Sequence, residues 1–138
     1  MDARKPEFEY AIICDDIRHE MGDKFSLIGV YGSDIYVAQL PFLFPKLSAA
    51  ISCLKMSGGD TFVVELRDPT GQAAAEAIAG EVPLEVKGPT RFMIFGVFPP
   101  LRLEKAGLYK LMIIINGDEA ARTEVPFMIK AADSRVLH

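Results

Sequence analysis

Residues 101–130 read LRLEKAGLYKLMIIINGDEAARTEVPFMIK, and this stretch decides the fold class. A short apolar segment is broken at Ala106-Gly107, and Tyr109 enters the next segment two residues later. Leu111, Met112, Ile113, Ile114 and Ile115 then form an unbroken apolar run of the kind found in strands covered on both faces. Asn116-Gly117 is the strongest short-range hairpin signal, because both central residues of a type I′ turn need φ > 0. Beyond it Ala121, Thr123, Val125, Phe127 and Ile129 alternate with Arg122, Glu124, Met128 and Lys130, the period of a half-buried strand.

The same grammar extends back through the chain. Phe8, Tyr10, Ile12 and Cys14 are expected to share one face, with Glu9 opposite, in a first strand after Pro6. The polar run CDDIRHEMGDK reads as a connection, with Gly22-Asp23 as its turn. KFSLIGVY, residues 24–31, is apolar on both faces, and Gly29 inside it predicts a bulge or a close backbone approach. After a turn at Gly32-Ser33-Asp34, residues 35–37 extend the pairing. PFLFP, residues 41–45, cannot be a central strand, because proline lacks the ladder N–H. It reads as a loop tucking Phe42 and Phe44 over the end of the core, or as an exposed apolar patch.

Leu47, Ala49, Ile51 and Cys53 alternate against Ser48 and Ser52. Phe62, Val64 and Leu66 alternate against Glu65 and Arg67. Asp68-Pro69-Thr70-Gly71 is a turn in which proline presets φ and glycine tolerates φ > 0. For residues 72–81, alanine and glutamate favour a short helix, whereas the surrounding strands favour a strand; the strand is the preferred reading. Phe92, Ile94 and Phe98 are expected on one face of the next strand, with Met93, Phe95 and Val97 on the other.

Seven to nine short strands with frequent turns predict an all-β antiparallel sandwich over residues 7–131, with tails at 1–6 and 132–138. A small β-barrel is the alternative. The Gly107-x-Tyr109 corner favours an immunoglobulin-like sandwich, and it predicts a buried Tyr109 whose hydroxyl bonds backbone between residues 103 and 107.

At 138 residues, half hydrophobic and a quarter charged, the composition is globular. A net charge of −4 argues against nucleic-acid binding and a polybasic membrane anchor. No apolar run approaches the roughly 18–20 residues of a spanning helix. The first residues carry charges where a signal peptide needs an apolar centre, so a cytoplasmic location is expected. In that setting Cys14 and Cys53 are expected as free buried thiols.

Catalytic patterns are weak. His19 lies among Asp16, Arg18 and Glu20, but no serine sits in a nucleophile elbow, and the glycines form no phosphate-cradling loop. Calcium is a rival reading, since Asp15, Asp16, Asp23, Asp34, Asp60, Asp68 and Asp118 all fall in expected turns. Aspartate is a turn former in its own right, however, and no D-x-D-x-D-G loop occurs. The cluster from Asp15 to Glu20, closed by Lys24, is read either as pairing that fixes the turn between the first two strands or as a recognition surface.

The run C-D-D-I-R-x-E at residues 14–20, followed by G-x-K-x-S-L-I-G-x-Y at 22–31, resembles the opening signature of a family of small bacterial domains of unknown function. The likeness continues through the Asp68-Pro69-x-Gly71 turn, the Gly107-x-Tyr109 corner and the Asn116-Gly117 turn. It implies one immunoglobulin-like sandwich and marks Asp16, Arg18, Glu20, Lys24, Ser26 and Gly29 as family positions. It implies no activity for any of them.

The sequence therefore predicts a non-enzymatic interaction or structural module that binds a protein partner or itself, without a cofactor. Its candidate interaction surface is Asp15, Asp16, Arg18, Glu20, Lys24, Phe42 and Phe44. The alternative is a small-molecule or calcium-dependent binding or enzymatic domain using the turn carboxylates. Leu108, Met112 and Ile114 lie opposite Tyr109, Leu111 and Ile113. That second apolar face requires a cover, either the chain near residues 38–45 or another copy in a dimer.

Overall fold

In the computed structural model, residues 5–131 are described; the expected tails lie outside them except for Lys5 and Pro6. The alternating segments form eleven strands: β1 (Glu7–Glu20), β2 (Lys24–Val30), β3 (Asp34–Val37), β4 (Phe42–Phe44), β5 (Leu47–Met56), β6 (Thr61–Arg67), β7 (Ile78–Glu81), β8 (Thr90–Phe98), β9 (Leu101–Leu103), β10 (Gly107–Ile115) and β11 (Thr123–Ala131). A four-stranded sheet runs β2-β1-β5-β8 and a five-stranded sheet runs β3-β11-β10-β6-β7. Their facing sides form the core of an all-β sandwich, with Ile51, Cys53 and Ile94 from the first sheet against Leu66, Leu111 and Ile113 from the second.

The strand count exceeds seven to nine because two short segments find each other. β4, between its prolines, pairs only with β9 in a separate two-stranded sheet. Phe44, Leu101 and Leu103 enter the core there. A second departure is the parallel pairing of β3 with β11, where Asp34 meets Met128 and Val37 meets Ala131. The antiparallel expectation fails at this edge alone, since every other strand pair in the described residues is antiparallel. Residues 72–81 form no helix. Ala73 makes an isolated bridge to Arg67, and only the last four residues, 78–81, become strand β7.

The corner behaves as its residues require. Tyr109 is 1% exposed, its hydroxyl donates to the Lys105 carbonyl at 2.7 Å, and its ring stacks on Phe127 at 5.8 Å. Burial pushes the phenol's pKa up. Gly107, at φ +133°, lies so close to Pro69 that a Cβ would come within 2.9 Å of its Cγ.

Asn116 and Gly117 both take positive φ, at 52° and 69°. The Asp118 amide closes their turn onto the Ile115 carbonyl at 3.0 Å. Yet the turn does not close a tight β10–β11 hairpin. The β10–β11 register ends at Ile113 and Thr123, while Ile114 and Ile115 pair with β6 alone. A one-turn 3-10 helix, Glu119–Ala121, takes up the slack, so Ala121 is not in the strand. Asn116 instead ties this end to the β5–β6 connection. Its Oδ1 accepts from the Thr61 amide at 2.9 Å and its Nδ2 donates to Asp60 at 3.1 Å.

In β1 the expected facing is corrected by one residue. A bulge between Phe8 and Tyr10 places both Glu9 and Tyr10 opposite Ser52, and an extra residue reverses every side chain beyond it. Phe8, Ala11 and Ile13 therefore pack on the core, while Tyr10, Ile12 and Cys14 share the outer face with their partners Ser52, Ala50 and Ser48. Glu9 uses its outward position to accept from Ser52 at 2.7 Å and from both Arg91 Nε and Nη2 at 2.9 Å, bridging β1, β5 and β8. Cys14 and Cys53 are free and buried on opposite faces of one sheet.

Candidate interaction surface

The polar run after Cys14 is strand rather than connection. β1 continues to Glu20, and Glu20 pairs with Lys24 across the turn at residues 21–23. If β1 ran straight, the seven residues from Ile12 to His19 would carry His19 about 23 Å along the strand. Ile12 lies in the row of Ala50 and Phe95. The His19 ring nevertheless meets Phe95 edge-on at 4.9 Å, and Phe25 does so at 5.0 Å. The β1–β2 ribbon therefore bends back over the outer face of its own sheet. Beneath it Ser48, Ala50 and Ser52 are buried although they point away from the core.

The bend is built from the signature residues. Gly29, at φ +68°, stands where a Cβ would come within 2.3 Å of the Asp15 carboxylate. That carboxylate accepts the Tyr31 hydroxyl, whose pKa is pushed up by burial and then by Asp15. Asp16 pairs with Lys46, which holds its carboxyl below the usual range, and also accepts from the Ile17 amide at 2.9 Å. Ser48 donates to the Asp15 carbonyl at 3.3 Å. Asp15 and Asp16 thus fasten the ribbon.

Cross-strand partners share a face, so Arg18 with Ser26 and Glu20 with Lys24 lie together on the ribbon's outer side. Ser26 donates to Glu20 at 2.8 Å. Phe42 and Phe44 do not join them. Phe44 is 6% exposed, and Phe42 is half-buried and packs on it edge-on at 4.9 Å. The seven candidate residues thus divide among a fastening, a small charged face and the core.

Four of the turn carboxylates, Asp34, Asp60, Asp68 and Asp118, are occupied locally. Asp68 accepts the Thr70 hydroxyl at 2.6 Å, the Thr70 and Gln72 amides and Lys105, and these donors, the Thr70 hydroxyl foremost, hold its pKa at about 2. Asp60 accepts from the Ser57 amide at 2.8 Å and from Asn116. Asp118 caps the 3-10 turn and Asp34 pairs with Lys130 at 3.0 Å. Among the described residues no three His, Cys, Asp or Glu side chains come together as metal ligands do.

The five-stranded sheet presents a different outer face. Leu108 pairs with Met128, Lys110 with Pro126 and Met112 with Glu124, and on the other side Lys110 pairs with Arg67 and Met112 with Glu65. All point away from the core. Leu108 is 43% exposed and Tyr36, on edge strand β3, is 51% exposed, while Met112 and Met128 are half-buried. Ile114 alone of the expected apolar trio is buried. Residues 38–45 do not cover this face, since β4 closes the core with β9.

Ion pairs interleave the apolar groups. Lys110 meets Glu124 at 3.1 Å, Lys130 meets Asp34, and Arg67 meets Glu65. Lys110 holds the Glu124 carboxyl below its ordinary value. Beside them the Asp68–Gly71 turn rises to form a hollow of about 460 Å³, lined by Leu108, Met112, Lys110, Arg67 and Glu124. Alternation with Tyr109 and Leu111 marks Leu108 and Met112, and alternation with Phe127 and Ile129 marks Met128. Tyr36 joins this face only through the partnering of β3 with β11, which lies in no local pattern.

A family model described as a family of unknown function (DUF6941) matches residues 9–128. No curated protein matches. Among solved structures, the chain is similar to the Pseudomonas fluorescens alkylpurine DNA glycosylase AlkC bound to DNA containing an abasic site analogue, at 9% identity and a TM-score of 0.45. That likeness covers 93% of this chain and 31% of the glycosylase, so the chain spans about a third of its length. Among the described residues no helix is long and apolar enough to cross a membrane.

Proposed function

We propose, from the premise that the chain belongs to the DUF6941 family, that it is a non-enzymatic protein-interaction module. Its docking surface is the outer face of the five-stranded sheet. The observation that carries this reading is the contrast between the two sheets. The four-stranded sheet is roofed by its own ribbon, whereas the outer face of the five-stranded sheet leaves Leu108 and Tyr36 exposed, with Met112 and Met128 half-buried beside them. A sheet face meant for water alternates to polar residues; this one carries an apolar centre among charged pairs, the anatomy of a protein interface. The Tyr109 corner supports an immunoglobulin-like classification of the sandwich. The two free thiols fit a reducing, cytoplasmic setting.

The test compares immobilised wild type with Leu108→Lys, a variant confirmed as folded by its thermal midpoint. A protein retained by wild type and lost with the variant supports the reading. Retention unaffected by the substitution overturns it, as does a wild type that neither retains a partner nor self-associates.

A further inference from the structure

We infer that the free edge of β8 is a second docking site, one that takes an extended segment of a partner protein as an added strand. It lies apart from the outer face of the five-stranded sheet and goes beyond the reading above. Four strands edge the two large sheets. β3 and β7 have four residues each, while β2 opens on Lys24 and is broken by Gly29 at φ +68°. Short, charged or bulged edges of that kind resist pairing. β8 has nine residues, TRFMIFGVF, and Arg91 is its one charge.

The register fixes which groups that edge leaves open. The Ile13 carbonyl accepts from the Tyr31 amide at 2.9 Å, so Ile13 turns toward β2. Backbone direction alternates from residue to residue along an antiparallel strand. Ile12 and Cys14 therefore bond their β5 partners Ala50 and Ser48, and Ala49 and Ile51 in turn bond Gly96 and Ile94. Met93, Phe95 and Val97 are left with N–H and C=O pointing out of the sheet. No backbone group among the described residues bonds them there.

Two hollows follow this edge. One of about 600 Å³ is bounded by Arg91, Phe92 and Met93, and one of about 340 Å³ by Val97 and Phe98. Consecutive residues face opposite sides of a sheet, so each hollow wraps the edge rather than lying on one face. Other elements supply the walls, the ribbon tip at His19, Lys24 and Phe25 at one end and residues 74–78 at the other. The edge between them suits one strand of about seven residues, roughly 20 Å long. Edge-to-edge pairing with a second copy would instead set its ribbon tip against residues 74–78 of the first.

Charge gives the segment a direction. The first hollow holds Lys24 and Arg91 against Asp23. Lys24 meets no carboxylate among the described residues, and Glu9 leaves Arg91 Nη1 unused. The second hollow is apolar, with Glu76 its one charge. The segment therefore carries a carboxylate beside Lys24 and an apolar side chain beside Val97. Main-chain bonds would supply its affinity and the hollows its specificity.

Amide exchange of the whole chain tests the edge first. Met93, Phe95 and Val97 should exchange at least roughly tenfold faster than Ile94 and Gly96; equal protection overturns the inference. Heptapeptides selected from a displayed random library on immobilised wild type are then synthesised and titrated. Bound peptide should slow exchange at those three amides. N-methylation at alternate peptide residues should abolish binding and at the intervening ones should not, a readout that needs no variant. Val97→Pro deletes a donor that the fold does not use, so it should stay folded and lose the peptide. Lys24→Ala should weaken acidic peptides about two- to fivefold. A library that yields no binder, or a binder whose N-methylation shows no alternation, overturns the inference. So does a dimeric wild type with the three amides protected, which would give the edge to a second copy. Binding lost with Leu108→Lys but kept with Val97→Pro would place the peptide on the other sheet, overturning this site and leaving the interaction-module reading standing.

Discussion

Gly29→Ala should loosen the β1–β2 ribbon without unfolding the sandwich. The glycine sits at φ +68°, and an alanine Cβ there would come within 2.3 Å of Asp15 Oδ2. Holding a non-glycine residue in the left-handed region costs roughly 1–2 kcal/mol. Moving Asp15 aside also gives up its bond with Tyr31, which solvent exposure limits to about 1 kcal/mol. Together these come to about 2–3 kcal/mol of local stability, a rise of roughly 30- to 150-fold in the ribbon-open population. The cysteines distinguish local from global opening. Cys14 lies at the bend and Cys53 in the core, and both are buried. Labelling with an aromatic disulfide reagent, mapped by peptide mass, should accelerate at Cys14 by about that factor while Cys53 stays protected. Equal acceleration at both, or an unchanged Cys14 rate, would refute the idea that Gly29 and Asp15 fasten the ribbon.

Tyr109→Phe leaves the Lys105 carbonyl without its hydroxyl donor and should cost about 1–2 kcal/mol, lowering Tm on the order of 3–8 °C by calorimetry; an unchanged Tm would show that water replaces the bond. Asp68 has a folded-state pKa of about 2 against an ordinary 3.8. Its contribution to stability is thus complete above about pH 4 and is lost as pH falls toward 2. Asp68→Asn should therefore flatten denaturant midpoints over that window, and parallel curves for the two proteins would contradict this. Burial raises the Cys53 thiol to about 11, so native protein at pH 8 should leave it unlabelled on a timescale in which denatured protein reacts fully.

Local chemistry made the sandwich legible. Gly107-x-Tyr109 announced the corner, and Asn116-Gly117 announced positive φ at both residues. The missed features come from pairings remote in sequence. The facing of β1 depends on a bulge that only its partner Ser52 reveals. The bend of the ribbon depends on Asp15 reaching Tyr31 and Asp16 reaching Lys46, so charges that read as a turn are strand. Phe42 and Phe44, flanked by prolines, read either as a tuck over the end of the core or as a surface patch, and β9 supplies the partner that draws them inward. The candidate face was half legible: the surplus of Leu108 and Met112 appeared in the alternation, whereas its other half arrives with β3, whose partner lies 94 positions away (128 − 34).

That long pairing sets an order on biosynthesis. The four-stranded sheet is complete once β8 has been made, at Phe98. The second sheet has no centre until β10 and β11 emerge at the far end of the chain. During translation, a finished sheet with an apolar inner face must wait for its lid, a state in which nascent chains are exposed to aggregation and chaperone capture. Chains stalled before Gly107 should accordingly be held by ribosome-associated chaperones, and those carried past Ala131 released.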